Sequence, residues 1–300
     1  MNRIRAARAS LKPTHSKKAK HYLMITAVVL ALGLIIFAEV IRPNQDARAY
    51  TGRLDTASKP LNQCFEKLAA TTELDIYYAP DVSLDTKQKN ITTIKSQIAA
   101  CREELASFDA QAHRLLTLHF AGFTQTYRDA QVNQRQAYDV IGQSRDVLNQ
   151  YYELADFLDQ YYNHIAAFTT YFANLQKIEN NYGTPNAATV KILSQQAGDL
   201  HKRAGLIRGL KVAPGFELTK TATADMFEQI ATGFDNAVKG YTNYSDYYTN
   251  LGLGQVDKAV ADYDAKVINM PFDQLKTSYI PKQVQQLPIK IQNLLAAQSE

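Results

Sequence analysis

The sequence predicts an all-α protein. A single N-terminal transmembrane helix leads into an elongated extracytoplasmic helical bundle with coiled-coil-like antiparallel packing. Three observations predict this. Residues 21–41 form an apolar run of membrane length, and later apolar residues recur at spacings of three and four. Strand signals are weak: from Asp81 to Thr184 there is no proline, only Gly122 and Gly142 interrupt before Gly183, and no Val/Ile/Thr-rich alternation with Asn-Gly turns occurs. The 300 residues suffice for one or two domains, and with 46% hydrophobic residues the chain can bury a core. Only 13 Gly and 9 Pro argue against collagen-like sequence or a turn-rich β sandwich.

The first element is a basic tail, residues 1–20. The net charge of +4 is concentrated there: eight of the 33 Lys and Arg residues, against one acid, Glu39, lie in residues 1–42. The remaining 258 residues hold 25 bases and 28 acids. A nucleic-acid surface would need Lys and Arg clustered on the folded part, so none is expected. The tail instead suits anionic lipid heads.

Residues 21–41 follow, with no charged residue from His21 to Ala38. At about 1.5 Å per residue the segment spans roughly 31 Å, one hydrocarbon thickness. Backbone amides in lipid must bond internally, so the span is expected to be helical. Seven bases before it and none within it orient the N-terminus to the cytoplasm. The lipid bilayer is thus an expected partner, and the C-terminal part is expected outside the cytoplasm. Ala47-Arg48-Ala49 also fits an A-x-A cleavage site, so release of a secreted protein near Ala49 is the alternative to a signal anchor.

Beyond the span, residues 46–182 read as a long-helix bundle with a helical hairpin, and 183–300 as a C-terminal helical region packing on or extending it. The first bundle helix is expected at about 50–75, on Leu54, Ala57, Leu61, Cys64 and Leu68. Asp85 is the expected N-cap of the next, which runs from about 86 to at least 119 on Ile91, Ile94, Ile98, Cys101, Leu105, Phe108, Ala112 and Leu115. A short connection makes these two helices antiparallel, which brings Cys64 and Cys101 to similar heights. A Cys64–Cys101 disulfide is therefore expected in an oxidising compartment, closing a loop of 37 residues. In the chain-entropy account such a loop is worth about 4 kcal/mol.

The polar stretch Thr124–Gln136 is either a solvated helix face or a turn, which places the next break within 120–142. A helix from about 143 to Tyr182 carries two apolar stripes. One holds Leu148, Tyr151, Ala155, Leu158, Tyr162, Ile165, Thr169 and Phe172. The other holds Val147, Leu154, Phe157, Tyr161, His164, Phe168, Tyr171, Leu175, Ile178 and Tyr182. So wide an arc needs at least two neighbours. Gly183-Thr184-Pro185-Asn186 is a stop. Helices are then expected at about 187–209 and 221–250, separated by Ala213-Pro214-Gly215. After a break at Gly252-Leu253-Gly254, shorter ones follow near 255–268 and 272–298, the last interrupted by Pro271, Pro281 and Pro288.

Catalytic motifs are missing from the sequence. It has no phosphate-binding glycine loop, no G-x-G-x-x-G, no G-x-S-x-G elbow and no H-E-x-x-H. His113 and His119 are six apart, which points them about 120° apart on a helix, a poor metal pair. His164, on an apolar stripe among tyrosines, reads as a core histidine bonded to a phenol, and Glu103-Glu104 as a solvated face. No enzyme activity, metal or other cofactor is expected. Tyrosine is the compositional oddity: 18 Tyr and no Trp. Tyr241, Tyr244, Tyr247 and Tyr248 would line one face of the 221–250 helix, among Asn243, Ser245, Asp246 and Asn250. That face could stack sugar rings, grip a protein, or simply pack on preceding helices. Asn90-Ile91-Thr92 and Asn243-Tyr244-Ser245 match the N-glycosylation sequon, which matters only in a host that glycosylates exports. The expected role is non-enzymatic binding or scaffolding at the cell envelope, with a protein partner or an envelope polysaccharide.

Overall fold

A computed structural model describes residues 17–71, 83–113, 124–179, 187–212, 215–268 and 279–296. Among them the regular structure is entirely helical. The elements are α1 (Lys17–Ile36), α2 (Arg42–Thr71), α3 (Leu84–Ala112), α4 (Gln125–Glu179), α5 (Ala187–Gly209), α6 (Glu217–Asn243), α7 (Asp246–Ile268) and α8 (Tyr279–Ala296).

No linker separates α1 from α2. A single π turn, Phe37–Ile41, joins them, with the Arg42 N–H bonded to the Phe37 carbonyl. Pro43 lacks the N–H that the Glu39 carbonyl would receive in an α-helix, and a local slip in the ladder accommodates it. One rod therefore runs from Tyr22 to Thr71, and it includes the one helix among the described residues long and apolar enough to cross a membrane. Every side chain from Tyr22 to Phe37 is exposed. Burial begins abruptly beyond it, at Pro43, Ala47, Tyr50 and Leu54. The first bundle helix thus starts well before residue 50, and Pro60 sits inside it without ending it.

The helices form two cores. The first joins α2, α3, the N-terminal part of α4, and α8. Its buried residues follow spacings of three and four: Tyr50, Leu54, Ser58, Leu61, Phe65 and Leu68 on α2, and Ile91, Ile94, Ile98, Cys101, Leu105, Phe108 and Ala112 on α3. Val284, Leu287, Ile291 and Leu294 of α8 close it. The second core joins α5, α6 and α7, with Ile165 and Tyr171 of α4 packed against it. At about 1.5 Å per residue, the 55-residue α4 is roughly 80 Å long and serves both cores.

Polar pairs fix the directions. Thr124 bonds Asn44 at 2.7 Å, so α4 starts beside the start of α2. The ends of α3 and α4 are pinned there too: the Ala112 carbonyl, unpaired within its own helix, accepts from the Tyr50 hydroxyl (3.1 Å) and the Gln134 amide (3.0 Å). Cys64 and Cys101 meet in disulfide geometry across α2 and α3, their Cα atoms 5.5 Å apart. Lys95 reaches Asp156 (2.9 Å) and Asp159 (3.1 Å), so α3 and α4 are antiparallel. Lys290 bonds Gln143 at 2.6 Å, which brings α8 back toward the α1 end.

Several boundaries differ from the sequence reading. Ser83, not Asp85, caps α3, its Oγ accepting from the Thr86 N–H. Asp85 sits in the first turn, where its charge suits the helix dipole. The described helix ends at Ala112, with His113 as its C-cap; Leu115, His119 and the rest of the expected stretch to 119 lie outside the described residues. Gln125–Gln136 is helical, and α4 begins at Gln125 instead of about 143. Its polar surface conceals a narrow buried stripe of Tyr127, Ala130, Asn133 and Ala137. The stop at 183–186 lies outside the described residues, as do the side chains of Phe168, Thr169, Phe172, Leu175 and Ile178, and Tyr182. α5 covers the expected 187–209. The single helix expected over 221–250 is two helices, broken at Tyr244, and Gly252-Leu253-Gly254 lies inside α7. Pro288 lies inside α8 and does not break it.

Candidate functional site

The turn between α6 and α7 stands at the end of the molecule opposite α1. Its position follows from the chain path: α5 returns along α4, α6 runs outward again beside α5, and α7 comes back. Arg208 lies against Asp225, and His201 against Glu228 and Asp235, so α5 and α6 are antiparallel. The α7 end returns to α4, where the Tyr161 and Tyr263 hydroxyls lie 2.8 Å apart.

Glycines shape this hairpin. A Cβ on Gly240 would stand 2.3 Å from Thr249 Oγ1, and one on Gly252 would stand 2.4 Å from the Gly233 carbonyl oxygen. No side chain fits at either place, so α6 and α7 approach backbone to backbone. The turn closes with Tyr244 in the left-handed region (φ 51°) and the Ser245 N–H bonded to the Gly240 carbonyl at 2.9 Å.

The break separates the four tyrosines expected on one face. Tyr241 packs against the second core from α6. Tyr244 is the turn residue itself and is 89% exposed. Tyr247, on the first turn of α7, is 70% exposed. Tyr248 is partly buried; its ring meets that of Tyr247 edge-on at 5.3 Å, and the Lys239 ammonium lies 4.0 Å from its centroid. The four remain neighbours around a helix turn, but only Tyr244 and Tyr247 present open rings.

Two polar groups nearby were not anticipated. His201 Nδ1 lies 3.0 Å from Glu228 Oε1, and Nε2 lies 3.0 Å from Asp235 Oδ2. Both nitrogens face acceptors, which suits the doubly protonated ring. Burial opposes that charge, but the hydrogen bond to the Asp235 carboxylate and the charge of Glu228 outweigh it and raise the pKa above the ordinary histidine value. His164 behaves oppositely. Arg203 and Asp199 are the charges that act on it, and its Nδ1 is enclosed without a hydrogen-bond partner among the described residues. Burial first, then the Arg203 charge, lower its pKa. Asp199 is itself held by Arg203 at 2.7 Å and by the Tyr171 hydroxyl. Spacing alone could not reveal either group, because the partners lie on different helices.

An open cleft of about 250 Å³ lies between α6 and α7, lined by Glu228, Gln229, Thr232, Gln255, Lys258 and Asp262. It is small and polar beside the apolar clefts that hold small ligands. Among the described residues no group of three His, Cys, Asp or Glu side chains is arranged to hold a metal ion. No protein-family model, curated protein or solved structure matches the chain.

Proposed function

We propose that the chain is a single-pass membrane protein whose N-terminus is cytoplasmic and whose bundle is extracytoplasmic. It acts there without catalysis, as a binding or scaffold module of the cell envelope. One observation carries this reading. The Tyr22–Phe37 helix is apolar on every side, is covered by no other element among the described residues, and continues into a core helix. Lipid is the solvent that such a surface needs. The continuity also favours an anchor over release near Ala49. Cleavage there would cut inside α2 and remove Ala47, which is fully buried in the first core. The Cys64–Cys101 geometry suits the same oxidising side of the membrane. On this reading the bundle projects the Tyr244 and Tyr247 rings away from the bilayer, where a partner protein or an envelope polysaccharide would meet them.

A reporter fused after Glu300 tests the topology. We expect it to be accessible to protease on intact cells, and the protein to resist extraction by alkaline carbonate. A shielded reporter would reject the orientation, and full extraction would reject the anchor.

A further inference from the structure

From the α6–α7 turn we infer that this end binds a neutral polysaccharide, with Tyr244 and Tyr247 stacking on sugar rings. The inference rests on the reading of the chain as an envelope binding module and names its ligand class. Four observations support it. Tyr244 occupies a left-handed backbone position that glycine, or the asparagine preceding it, would fill with less strain. At 89% exposure, core packing does not compensate that strain. Strained residues of this kind cluster at binding sites. Tyr247, also open, is braced by the Tyr248 ring, and Tyr248 in turn by Lys239. Such bracing holds a flat ring ready at small entropic cost.

Size and charge select the ligand. Two tyrosines bring about 300–500 Å² of contact. A stable protein interface takes about 800 Å² from each partner, roughly double. The area suits instead a few sugar rings of a long polymer, bound weakly by each protein and firmly by many copies in one membrane. Within residues 239–250, which carry the rings, the charged side chains are Asp246 and Lys239, the latter lying over Tyr248. This gives no excess of positive charge for a polyanion. Asn243 and Asn250 are exposed beside the rings and supply the amide groups that hydroxyl-rich ligands use.

The test uses the full chain in lipid nanodiscs, with cellulose and chitin particles as neutral probes and alginate gel as the charged control. We expect retention on at least one neutral polymer and none on alginate. Tyr244→Asn and Tyr247→Ala should each weaken retention about tenfold, while Tyr244→Phe keeps it. Asn suits the left-handed position, so Tyr244→Asn should not lower the melting temperature, which separates lost binding from lost folding. No retention on either neutral polymer, or equal retention of wild type, Tyr244→Asn and Tyr247→Ala, overturns the inference. A photocrosslinker at Asn243 in intact cells then separates the two readings. A protein captured there, with no polymer retained, removes the polysaccharide and leaves the binding module. Capture of neither removes both.

Discussion

His201 shows how one side chain makes the second core sensitive to pH. Its ring reaches Glu228 and Asp235 on α6 from α5, and Arg208 also approaches Glu228, at 3.5 Å. The imidazolium fills a gap between two carboxylates, and its pKa is raised above the ordinary value despite burial. A raised histidine pKa means that the folded state holds the proton more tightly than the unfolded chain. The contribution is therefore fully present below about pH 6.5 and is lost as the pH rises through the folded value. The ring and both carboxylates are more than a third exposed, so solvent screening limits the effect to less than about 1 kcal/mol. Imidazole proton shifts should show His201 titrating above the ordinary histidine value of about 6.5, with amide protection along α5 declining over the same interval. A His201 titration below pH 6.5 would contradict the clasp. Neutral His164, held by burial and Arg203 in its uncharged form, should show the opposite shift in the same spectra.

At the scale of the element, the α6–α7 hairpin separates glycines that break helices from glycines that let them touch. In the sequence Gly252-Leu253-Gly254 reads as a break, because glycine weakens a helix and no single-sequence signal distinguishes weakness from close packing. Gly252 packs against the Gly233 carbonyl and the Ala237 backbone, whereas a Cβ on Gly254 would meet nothing within 4 Å. Gly252→Ala should therefore cost about 1–3 kcal/mol through forced separation of the helices. Gly254→Ala should gain about 0.5–1 kcal/mol through helix propensity alone. Opposite shifts in denaturant midpoint are the expected result, and equal shifts would mean that the close approach is not real. The legible parts of the fold were those with an uninterrupted period. The α3 stripe from Ile91 to Ala112 is one, and the bounds of α5 are another. The start of α4 was hidden because its buried stripe is built partly from small and polar residues, Ala130, Asn133 and Ala137. The tyrosine group was found by composition, but its division was not. The residue that breaks the helix is a tyrosine, which carries no turn signal.

For the whole molecule, the order of helices along the chain is not their order in space. α8 follows the second core in sequence but completes the first, alongside α2 and α4. Local periodicity predicts that an amphipathic helix exists, and it is silent about which core receives it. The consequence is a closed path: α4 leads outward from the first core, α5 to α7 build the second, and α8 returns. Chain continuity and packing thus tie the two cores together at both ends of the excursion. A chain ending at Ile268 should test this. It would lose Val284, Leu287, Ile291 and Leu294, each at most 3% exposed. At about 1.5–3 kcal/mol each, their removal costs on the order of 6–12 kcal/mol, comparable to the whole stability of a typical domain. The second core keeps all of its own buried residues, including Phe227, Ile230 and Phe234 packed with Leu200 and Ile207. Amide exchange on the shortened chain should therefore show α2, α3 and residues 125–162 unprotected, with α5, α6 and α7 still protected. Persistent protection of α2 and α3 would show that α8 merely covers a core already stable without it. Simultaneous loss from α5 to α7 would show that the long α4 makes both cores one cooperative unit.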